Sequence, residues 1–432
     1  MALVHLTSSL FERNRLKLSR KLQKHTFVAI HSNQSMLKSR DQNFVFHQNS
    51  DLFYFSGIEQ ERTTLFIYYD TLNERFLDVL FIEKPDPAKE VWTGRMLTIE
   101  QVASISGIAD IRWLDQMEAF IREQIANSEL LFLNFTEKYD SEDLKYLYPN
   151  RFALDWERVL QSKKFEPLSL ISDSLRQVKE AVEIEVVRKA INITYCAFLK
   201  MLPAVKPGNK EHDIEALINA EFTRSGAKIA FDTIVASGEN ACILHYIDNN
   251  MPMNDGELVL VDFGASIDGL NADITRTLPV NGKFTERQKE VYTSVLNIQK
   301  EVTKNIRPGI SITDLVRLAG NLCEQELTKL KLLKKEEIQK QDPEKPLYKR
   351  YFMHGIGHYL GIDVHDVGQK DDILKPGMLI TCEPGIYIPE EKLGIRLEND
   401  ILITENSCEN LSATIPIEID EIERLLYKNT NY

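Results

Sequence analysis

The sequence predicts an α/β protein of two domains, and three observations lead to this prediction. The chain has 432 residues, more than a single hydrophobic core normally organises. Short apolar runs typical of strands alternate with helical patterns as far as about residue 170. A long helical pattern over residues 180–201 then opens a second part, in which carboxylates interrupt apolar strands. We therefore expect one domain over residues 1–172 and another over residues 173–432.

The first part begins with a basic stretch that has two interpretations. Cationic residues between Arg13 and Lys24 are compatible with a transit peptide. Glu12 and the apolar positions Leu16 and Leu18 favour a helix on the surface of the protein instead. Strands follow where aromatic and β-branched residues cluster, over residues 27–33, 45–46, 53–55, 63–69, 77–82 and 130–133. Helical patterns lie near residues 98–105 and 115–127.

The second part alternates helices and strands. After the helix that ends before Pro203, a second helix is expected from about residue 213 to 225. Thr285 and Gln288 form the pattern of a capping box, which predicts the start of another helix, and residues 313–333 predict a further one. A last helix is expected near residues 418–427. Strands are expected over residues 233–236, 258–261, 274–278, 351–353, 378–382, 386–388, 394–398 and 400–404.

Composition and charge exclude several classes of protein. The net charge of −13 disfavours binding to nucleic acid or to an anionic membrane surface. No apolar run is long enough to span a membrane, and the first residues lack the apolar core of a secretory signal. The five cysteines are scattered without a Cys-x-x-Cys pair. We therefore expect a cytoplasmic protein with neither a disulfide framework nor a structural zinc site.

One stretch concentrates the residues that could perform chemistry. His354, His358 and His365 fall within twelve residues, and glycines flank the first two. Four carboxylates elsewhere in the second part sit in or beside apolar strands: Asp262, Asp273, Glu383 and Glu398. A carboxylate on a core-forming strand is costly unless it is paired or bound to a cation. Histidine together with several carboxylates is a ligand set typical of a hydrolytic site with divalent metals.

Simpler interpretations exist for each of these residues taken alone. A single carboxylate of this kind is more often solvated at a strand edge, and a single histidine is more often a core residue. The spacing of His354 and His358 also matches a helical metal motif, but the glycines at 355 and 357 argue against a helix there. The combination of all these residues favours a common site.

The motifs of the second part resemble those of the proline-specific metallopeptidases, above all aminopeptidase P. The stretches that carry the resemblance are 237–246, 260–264, 273–277, 354–366 (HGIGHYLGIDVHD), 383–385 and 396–398. The first part is similar to the smaller domain of the same family over residues 48–57 and 91–95. The resemblance implies a creatinase-like α/β domain followed by a pita-bread metallopeptidase domain.

The resemblance also implies a metal centre and the residues that build it. Five residues match the family's metal ligands: Asp262, Asp273, His358, Glu383 and Glu398. They would hold two divalent ions, usually manganese in this family, and the charge of four carboxylates balances two such cations. Without cations, four clustered carboxylates could not all stay ionised. Asn399 stands where the family often has an acidic residue, which removes one charge beside the site but no ligand.

The mechanism that the resemblance implies is hydrolysis by a metal-activated water. Glu383 is the expected proton carrier to the proline nitrogen. Histidines expected to hold the substrate or stabilise the tetrahedral intermediate are His245, His354 and His365. Arg396 and Tyr387 match further positions near the site, and for Arg396 an ion pair with Glu398 is a compatible role. Trp92 matches a residue that reaches the site of a neighbouring subunit, although it could also be an ordinary packed tryptophan.

Three functions remain to be weighed. The favoured one is an aminopeptidase that releases the first residue from Xaa-Pro-Yaa peptides, as a homodimer or homotetramer. A prolidase, which cleaves Xaa-Pro dipeptides, shares the catalytic motifs, but residues 91–95 look more like aminopeptidase P. A binding module on an inactive peptidase fold would have lost metal ligands, and none is lost here. Metal content after purification separates the last possibility from the first two.

Overall fold

The computed structural model describes residues 5–135 and 164–430. The described residues form two compact units, which divide between Arg176 and Gln177. Both units combine helices with β-sheets, so the α/β class predicted from the sequence is confirmed. We call them the N-terminal unit and the C-terminal unit. None of the helices in the described ranges has the length and hydropathy needed to cross a membrane.

The N-terminal unit is built on a six-stranded mixed sheet with the order β6-β5-β4-β1-β7-β8. The strands of the whole unit are β1 (Thr26–His31), β2 (Leu37–Ser39), β3 (Gln42–Asn43), β4 (Thr64–Asp70), β5 (Arg75–Ile82), β6 (Ile111–Trp113), β7 (Leu130–Leu133) and β8 (Lys164–Pro167). Its helices are α1 (Ser8–Ser19), α2 (Ser50–Ser56), α3 (Pro87–Thr93), α4 (Ile99–Ser106), α5 (Met117–Ala126) and α6 (Ser169–Arg176). The antiparallel pair expected at residues 63–69 and 77–82 is present as β4 and β5.

The basic N-terminal stretch forms helix α1, which packs within this unit. Leu10, Phe11 and Leu18 are buried, as expected for the apolar side of a surface helix. Arg15 is buried as well, and its guanidinium donates to the backbone oxygens of Phe55 and Ser106. The predicted surface helix is therefore present, but one of its basic residues serves the core rather than the surface.

Three predicted strands are wrong. Residues 53–55 belong to helix α2, because the Asn49 side chain caps its first turn and Gly57 ends it in the left-handed conformation. Residues 45–46 form no strand, and Val45 is 90% exposed. Residues 351–353 follow a short 3₁₀ turn and continue it, since the backbone N–H groups of Tyr351 and Phe352 both donate to the Tyr348 oxygen. In each case local turn chemistry overrides the apolar run.

The C-terminal unit surrounds small antiparallel sheets with helices. The helices are α7 (Ala181–Met201), α8 (Glu211–Arg224), α9 (Glu286–Asn305), α10 (Ile312–Lys329), α11 (Lys335–Ile338) and α12 (Ile419–Thr430). The strands are β9 (Lys228–Ile229), β10 (Ile234–Ser237), β11 (Leu258–Phe263), β12 (Ala265–Ile267), β13 (Leu270–Asn271), β14 (Ile274–Pro279), β15 (Leu379–Cys382), β16 (Gly385–Ile388), β17 (Leu393–Arg396), β18 (Asn399–Ile403) and β19 (Cys408–Asn410). The capping box at Thr285 and Gln288 is confirmed at the start of α9.

The sheets of this unit bring distant parts of the sequence together. Strand β11 lies between β10 and β14, and β18 lies between β15 and β19. Strands β16 and β17 form a hairpin beside them. All residues of β11, β14, β15 and β18 are buried, including the polar residues of β14 and the first two residues of β18. Polar residues at the ends of these strands therefore meet in the interior.

Candidate active site

A cavity of about 610 Å³ opens in the C-terminal unit, and most of the candidate residues line it. These residues are His245, Asp262, Asp273, His354, His358, His365, Glu383, Arg396 and Glu398. Phe231, Leu244, Ile247 and Val364 contribute apolar wall, and Asp232 and Lys370 add charges of opposite sign. The cavity therefore combines a polar floor with apolar sides, as ligand sites in proteins commonly do.

Strand ends deliver the four carboxylates to this cavity. Asp262 lies near the end of β11, opposite Thr275 of β14, and Asp273 directly precedes β14. Glu383 follows β15, and Glu398 lies between β17 and β18. Sheet pairing therefore gathers side chains that are more than a hundred residues apart in sequence. The expectation that the four carboxylates belong to one place is met by this geometry.

The histidine-rich stretch runs beside β15 as an extended segment without regular structure. The N–H of Thr381 donates to the His358 oxygen at 2.9 Å, and the N–H of Glu383 donates to the Ile356 oxygen at 2.9 Å. A Cβ at Gly357 would collide with the backbone oxygen of Thr381, whereas a Cβ at Gly355 would make only ordinary van der Waals contacts, the nearest at 3.8 Å. Gly357 thus permits the close approach that carries His358 to the carboxylates.

The group Asp273, His358 and Glu398 could hold a cation, because one ligand atom from each lies within 4.8 Å of the others. His358 Nε2 is 3.4 Å from an Asp273 oxygen and 3.8 Å from a Glu383 oxygen. Its Nδ1 lies 2.9 Å from the Tyr359 carbonyl oxygen, which only accepts hydrogen bonds. Nδ1 therefore carries the proton in neutral His358, and the lone pair of Nε2 faces the carboxylates.

These contacts favour a divalent cation at this position. A lone pair and several carboxylate oxygens facing one another repel unless a cation or a proton lies between them. Asp262 Oδ1 is buried and has no hydrogen-bond partner among the described residues. Oxygen ligands with one imidazole suit a hard divalent ion better than a thiolate-preferring one. The residues present therefore fit a divalent metal centre.

Electrostatics points to the same conclusion. Burial raises the pKa of Asp273 and Glu398 well above their ordinary values, and neighbouring carboxylates raise these pKa values further. Burial also raises the pKa of Glu383, although His358 and Arg396 partly oppose this shift. Without bound cations, some carboxylates of the cluster therefore tend to bind protons, as predicted from the sequence.

Arg396 has a different carboxylate partner from the expected one. Its Nη2 donates to Asp262 Oδ2 at 2.7 Å, rather than to Glu398. The remaining donors reach Tyr387 Oη at 3.0 Å and Thr275 Oγ1 at 3.2 Å. Thr275 in turn donates to Glu398 Oε2 at 2.6 Å. Arg396 therefore orients Asp262 directly and touches Glu398 only through a hydroxyl group.

Both ring nitrogens of His354 are engaged by protein groups. Nδ1 lies 2.8 Å from the Gly355 oxygen, so it carries the proton, and Nε2 accepts from Tyr387 Oη at 2.8 Å. Burial, reinforced by the charge of Arg396, lowers the pKa of His354 to about 3. Glu383 Oε2 lies 3.5 Å from the same Nδ1. The neutral ring links Tyr387 to the edge of the metal-binding cluster.

His365 and His245 both line the cavity, although they lie far apart in the sequence. The ring centroid of His365 lies 4.1 Å from that of His358. Burial, followed by the charge of His358, lowers the pKa of His365 to about 4, so this ring is neutral at pH 7. His245 lies in a segment without regular structure and is exposed to the cavity. The neutral imidazole of His365 can bind a peptide without adding charge.

Trp92 is in the N-terminal unit, on helix α3, and does not pack against its own unit. Its side chain is 87% exposed, and none of the residues of α3 is buried. The alternative of an ordinary packed tryptophan is therefore wrong for this unit.

Asp400, a fully buried carboxylate beside the cluster, was not predicted from the sequence. Its Oδ2 accepts from the backbone N–H of Asp273 at 3.2 Å, and its Oδ1 has no partner among the described residues. Burial raises the pKa of Asp400 to about 8. Two-residue alternation from Glu398 would have indicated it. Arg276 was not predicted either. Its buried guanidinium donates to the backbone oxygen of Glu398, a contact that no local sequence pattern indicates.

Comparisons with known proteins agree with this geometry. Residues 185–405 match the model of metallopeptidase family M24, and residues 11–132 match that of the aminopeptidase P N-terminal domain. The chain is 35% identical to an Xaa-Pro aminopeptidase of Escherichia coli, over 96% of this chain and 97% of the relative.

Solved structures are similar over nearly the whole length. An E. coli aminopeptidase P superposes with a TM-score of 0.90 at 31% identity, covering 99% of this chain and 100% of the other. A variant of that enzyme in complex with substrate gives a TM-score of 0.89 at 31% identity, with 99% and 100% covered. The expected pairing of an aminopeptidase P N-terminal domain with a pita-bread catalytic domain is thus confirmed.

Proposed function

The chain belongs to metallopeptidase family M24 and carries the N-terminal domain of aminopeptidase P, and on this premise we propose that it hydrolyses the Xaa-Pro bond at the N-terminus of peptides. The observation that carries the proposal is the convergence of four carboxylates and His358 on one cavity with apolar sides. In this proposal, residues 173–432 form the catalytic domain. Residues 1–172 form a domain that contributes to the rim of a substrate site and to the contact between subunits.

The metal ligands in this proposal are Asp262, Asp273, His358, Glu383 and Glu398. Two divalent ions would supply a water of lowered pKa and a Lewis acid for the scissile carbonyl. We infer manganese, because four carboxylates and one imidazole form a mainly oxygen ligand set. Supporting contacts are the free lone pair of His358 and the unpartnered Asp262 Oδ1.

Glu383 is the proposed proton carrier. It directly follows β15 and is half-buried, 3.8 Å from His358 Nε2 and 3.5 Å from His354 Nδ1. Cleavage of a bond to proline produces a secondary amine that must gain a proton, and a carboxyl group beside the attacking water can deliver it. Among the predicted catalytic groups, Glu383 is thus both a ligand and an acid-base group.

The other residues bind and orient. His245 and His365 contact the peptide and stabilise the tetrahedral intermediate, since both line the cavity and neither ring is hydrogen-bonded to another described residue. Arg396 and Tyr387 act on Asp262 and His354, to which they are hydrogen-bonded. His354, with both nitrogens engaged, acts by orienting this network rather than by donating to the substrate.

Peptide hydrolysis tests the proposal. Tripeptides Xaa-Pro-Yaa, dipeptides Xaa-Pro and controls Xaa-Ala-Yaa are compared with added manganese and with a chelator. Manganese-dependent release of the first residue from Xaa-Pro-Yaa alone is the expected result. Cleavage restricted to the dipeptide would identify a prolidase. No cleavage of any peptide, together with no bound metal, would leave only a binding role.

A matched pair of variants ties the activity to the site. Glu383→Gln should abolish hydrolysis, since it removes both a ligand and the proton carrier. Glu239→Gln changes an exposed glutamate that pairs with Lys392 on the surface, and it should leave activity unchanged. Equal effects of both substitutions would contradict the assignment.

We also propose a homodimer or homotetramer that uses the N-terminal domain, with Trp92 reaching a neighbouring subunit's site. Apolar side chains exposed in this unit support it: Leu37 at 67%, Val45 at 90%, Val91 at 81% and Trp92 at 87%. Light scattering should show a smaller assembly and lower activity for Trp92→Ser. Leu72→Ser, at the exposed turn between β4 and β5, is the control.

The proposed location is the cytoplasm, and nucleic acid is not an expected partner. The scattered cysteines and the net charge of −13 support these two proposals. Cell fractionation with an antibody against the protein tests the first, and retention on immobilised DNA or RNA at low salt tests the second.

A further inference from the structure

Glu211 lies outside the cavity, at the first position of helix α8, and its carboxylate is fully buried. It accepts hydrogen bonds from five donors. Oε1 receives the Ser237 N–H at 2.7 Å, the Ser237 hydroxyl at 2.7 Å and the Asn240 amide at 3.1 Å. Oε2 receives the Tyr246 hydroxyl at 2.8 Å and the Met251 N–H at 3.0 Å.

These donors belong to both ends of one segment. We call residues 243–250, which have no regular secondary structure, the His245 loop. Oε1 of Glu211 binds the chain that leads into the loop, at Ser237 and Asn240. Oε2 binds Tyr246 inside the loop and Met251 directly after it. A single carboxylate therefore joins the entry, the middle and the exit of the loop.

The loop reaches the cavity on the side away from Glu211. His245 and its neighbours Leu244 and Ile247 line the cavity. Tyr246 points inward instead, where it packs with Ile234, Leu260 and Tyr387. Because Tyr246 directly follows His245 in the chain, the hydrogen bond from Tyr246 to Glu211 restricts the direction in which His245 projects.

Helix α8 supplies the rigid support for this arrangement. Glu215, one turn after Glu211, accepts from the Asn249 side chain at 3.1 Å. Residue 251 and Glu211 also exchange backbone contacts, since the Glu211 N–H donates to the Met251 oxygen at 3.1 Å. The carboxylate lies in the first turn of the helix, where the helix dipole favours negative charge.

We propose that Glu211 is a positioning residue for peptide hydrolysis, which fixes the His245 loop so that His245 and the apolar wall meet the substrate. This inference rests on the proposed Xaa-Pro aminopeptidase activity. Glu211 contacts neither the cavity nor the candidate ligands, so its effect must pass through the loop.

Glu211→Gln tests the proposal with almost no change of volume. Hydroxyl groups of Ser237 and Tyr246 can turn to accept a hydrogen bond, but the backbone N–H groups of Ser237 and Met251 cannot. The amide of glutamine offers one oxygen, so its NH₂ group must face one of these two N–H groups. We expect kcat/KM to fall roughly 10- to 100-fold, the loss typical of hydrogen bonds to a charged group, with unchanged metal content.

Glu221→Gln is the matched control. Glu221 is also a buried glutamate of α8, 4% exposed, but it pairs with Arg224 and Ser225 and does not touch the loop. We expect its kcat/KM to stay within about twofold of the wild type, as for a substitution that leaves the site alone. Similar losses in both variants would mean general destabilisation of α8 and would overturn the proposal.

A double-mutant cycle with His245→Ala separates positioning from stability. If Glu211 acts through His245, adding Glu211→Gln to His245→Ala should lower kcat/KM by less than about twofold, because coupled residues are non-additive. Full additivity of the two losses would overturn the proposal. If Glu211→Gln does not fold, Tyr246→Phe removes one donor only and enters the same cycle.

Hydrogen exchange gives a readout that needs no activity. Amides of residues 243–251 should exchange faster in Glu211→Gln than in the wild type and in Glu221→Gln. Unchanged exchange in this segment contradicts the role of Glu211 whatever the enzyme does. Absence of Xaa-Pro hydrolysis in the wild type would instead contradict the proposed function. Faster exchange in Glu211→Gln would still show that Glu211 orders the loop.

Discussion

Arg396 and Asp262 form an ion pair inside the protein, with 2.7 Å between Nη2 and Oδ2. The two side chains are 5% and 11% exposed. The pair joins the last residue of β17 to β11 and leaves the other Asp262 oxygen without a hydrogen-bond partner among the described residues. An ion pair in such a place orients a ligand more than it stabilises the fold.

Arg396→Lys should therefore impair the site more than the fold. Lysine keeps the charge but cannot reach Asp262, Tyr387 and Thr275 together, because it lacks the planar fork of arginine. We expect metal affinity and kcat/KM to fall by about 10- to 100-fold, as for groups that orient metal ligands. Metal titration and steady-state kinetics measure this. Arg188→Lys, which changes a surface pair with Glu409, should have little effect.

Gly357→Ala and Gly355→Ala should differ sharply. At Gly357 a methyl group would collide with the Thr381 backbone, and the strand-like segment that carries His358 would have to move. We expect a loss of about 1–3 kcal/mol in the free energy of unfolding, typical of overpacking, and a loss of bound metal. Gly355→Ala makes only ordinary van der Waals contacts and should change neither quantity. Denaturant unfolding and metal analysis of both variants check this, and equal behaviour would contradict the packing argument.

The metal-free protein should lose stability as pH rises from about 7.5 to about 8.5. Burial raises the pKa of Asp400 to about 8, far above its ordinary value of 3.8. The folded state then binds more protons than the unfolded state between these two values, so stability falls as pH rises through this window. Asp273 and Glu398, whose pKa values burial also raises, act in the same direction.

Thermal unfolding in chelator measures this pH dependence. The lowered pKa values of His31, His354 and His365 act in the opposite direction, but only below about pH 7.5, because above it histidines are mainly neutral in the unfolded state as well. Asp400→Asn should flatten the decline, since it removes one of the titrating groups. A midpoint that rises over this range in the wild type would contradict the prediction.

Lys179 and Asp366 form another buried pair, 2.9 Å apart with side chains 2% and 1% exposed. Lys179→Met should lower the free energy of unfolding by about 3–5 kcal/mol, because it leaves a buried carboxylate without its cation. The double variant Lys179→Met/Asp366→Asn should lose less than the sum of the single losses. Lys300→Met, in a half-exposed pair with Glu418, is the control, with an expected loss below about 1 kcal/mol. Denaturant titrations of the four variants measure the coupling.

Much of the candidate site could be predicted from sequence because its signals are local. Asp262 and Glu383 stand at the ends of apolar runs, and a charged group there requires a partner whatever the rest of the fold is. The glycines around His358 excluded a helix for the same kind of reason. The capping box at Thr285 is also local, since both of its hydrogen bonds lie within one turn.

Predictions failed where short apolar runs carried too little information. Residues 53–55 look like a strand, but the cap at Asn49 and the stop at Gly57 make a helix of them. Asp400 was overlooked although its two-residue spacing from Glu398 was a signal, and its burial and its hydrogen bond from the Asp273 N–H place it beside the carboxylate cluster.

The sequence by itself determined the fold class and singled out three histidines and four carboxylates as candidate site residues, because periodicity, turn chemistry and charge are properties of the chain. The roles of His245, Tyr387 and Arg396 were implied by the family resemblance. Only the tertiary structure decided which groups pair. Arg396 binds Asp262 instead of Glu398, which is two residues away in sequence. Glu211 binds Ser237 and Met251 on the two sides of the His245 loop. Such partners are chosen by distance and burial once the strands and helices have packed, and no local pattern contains that information.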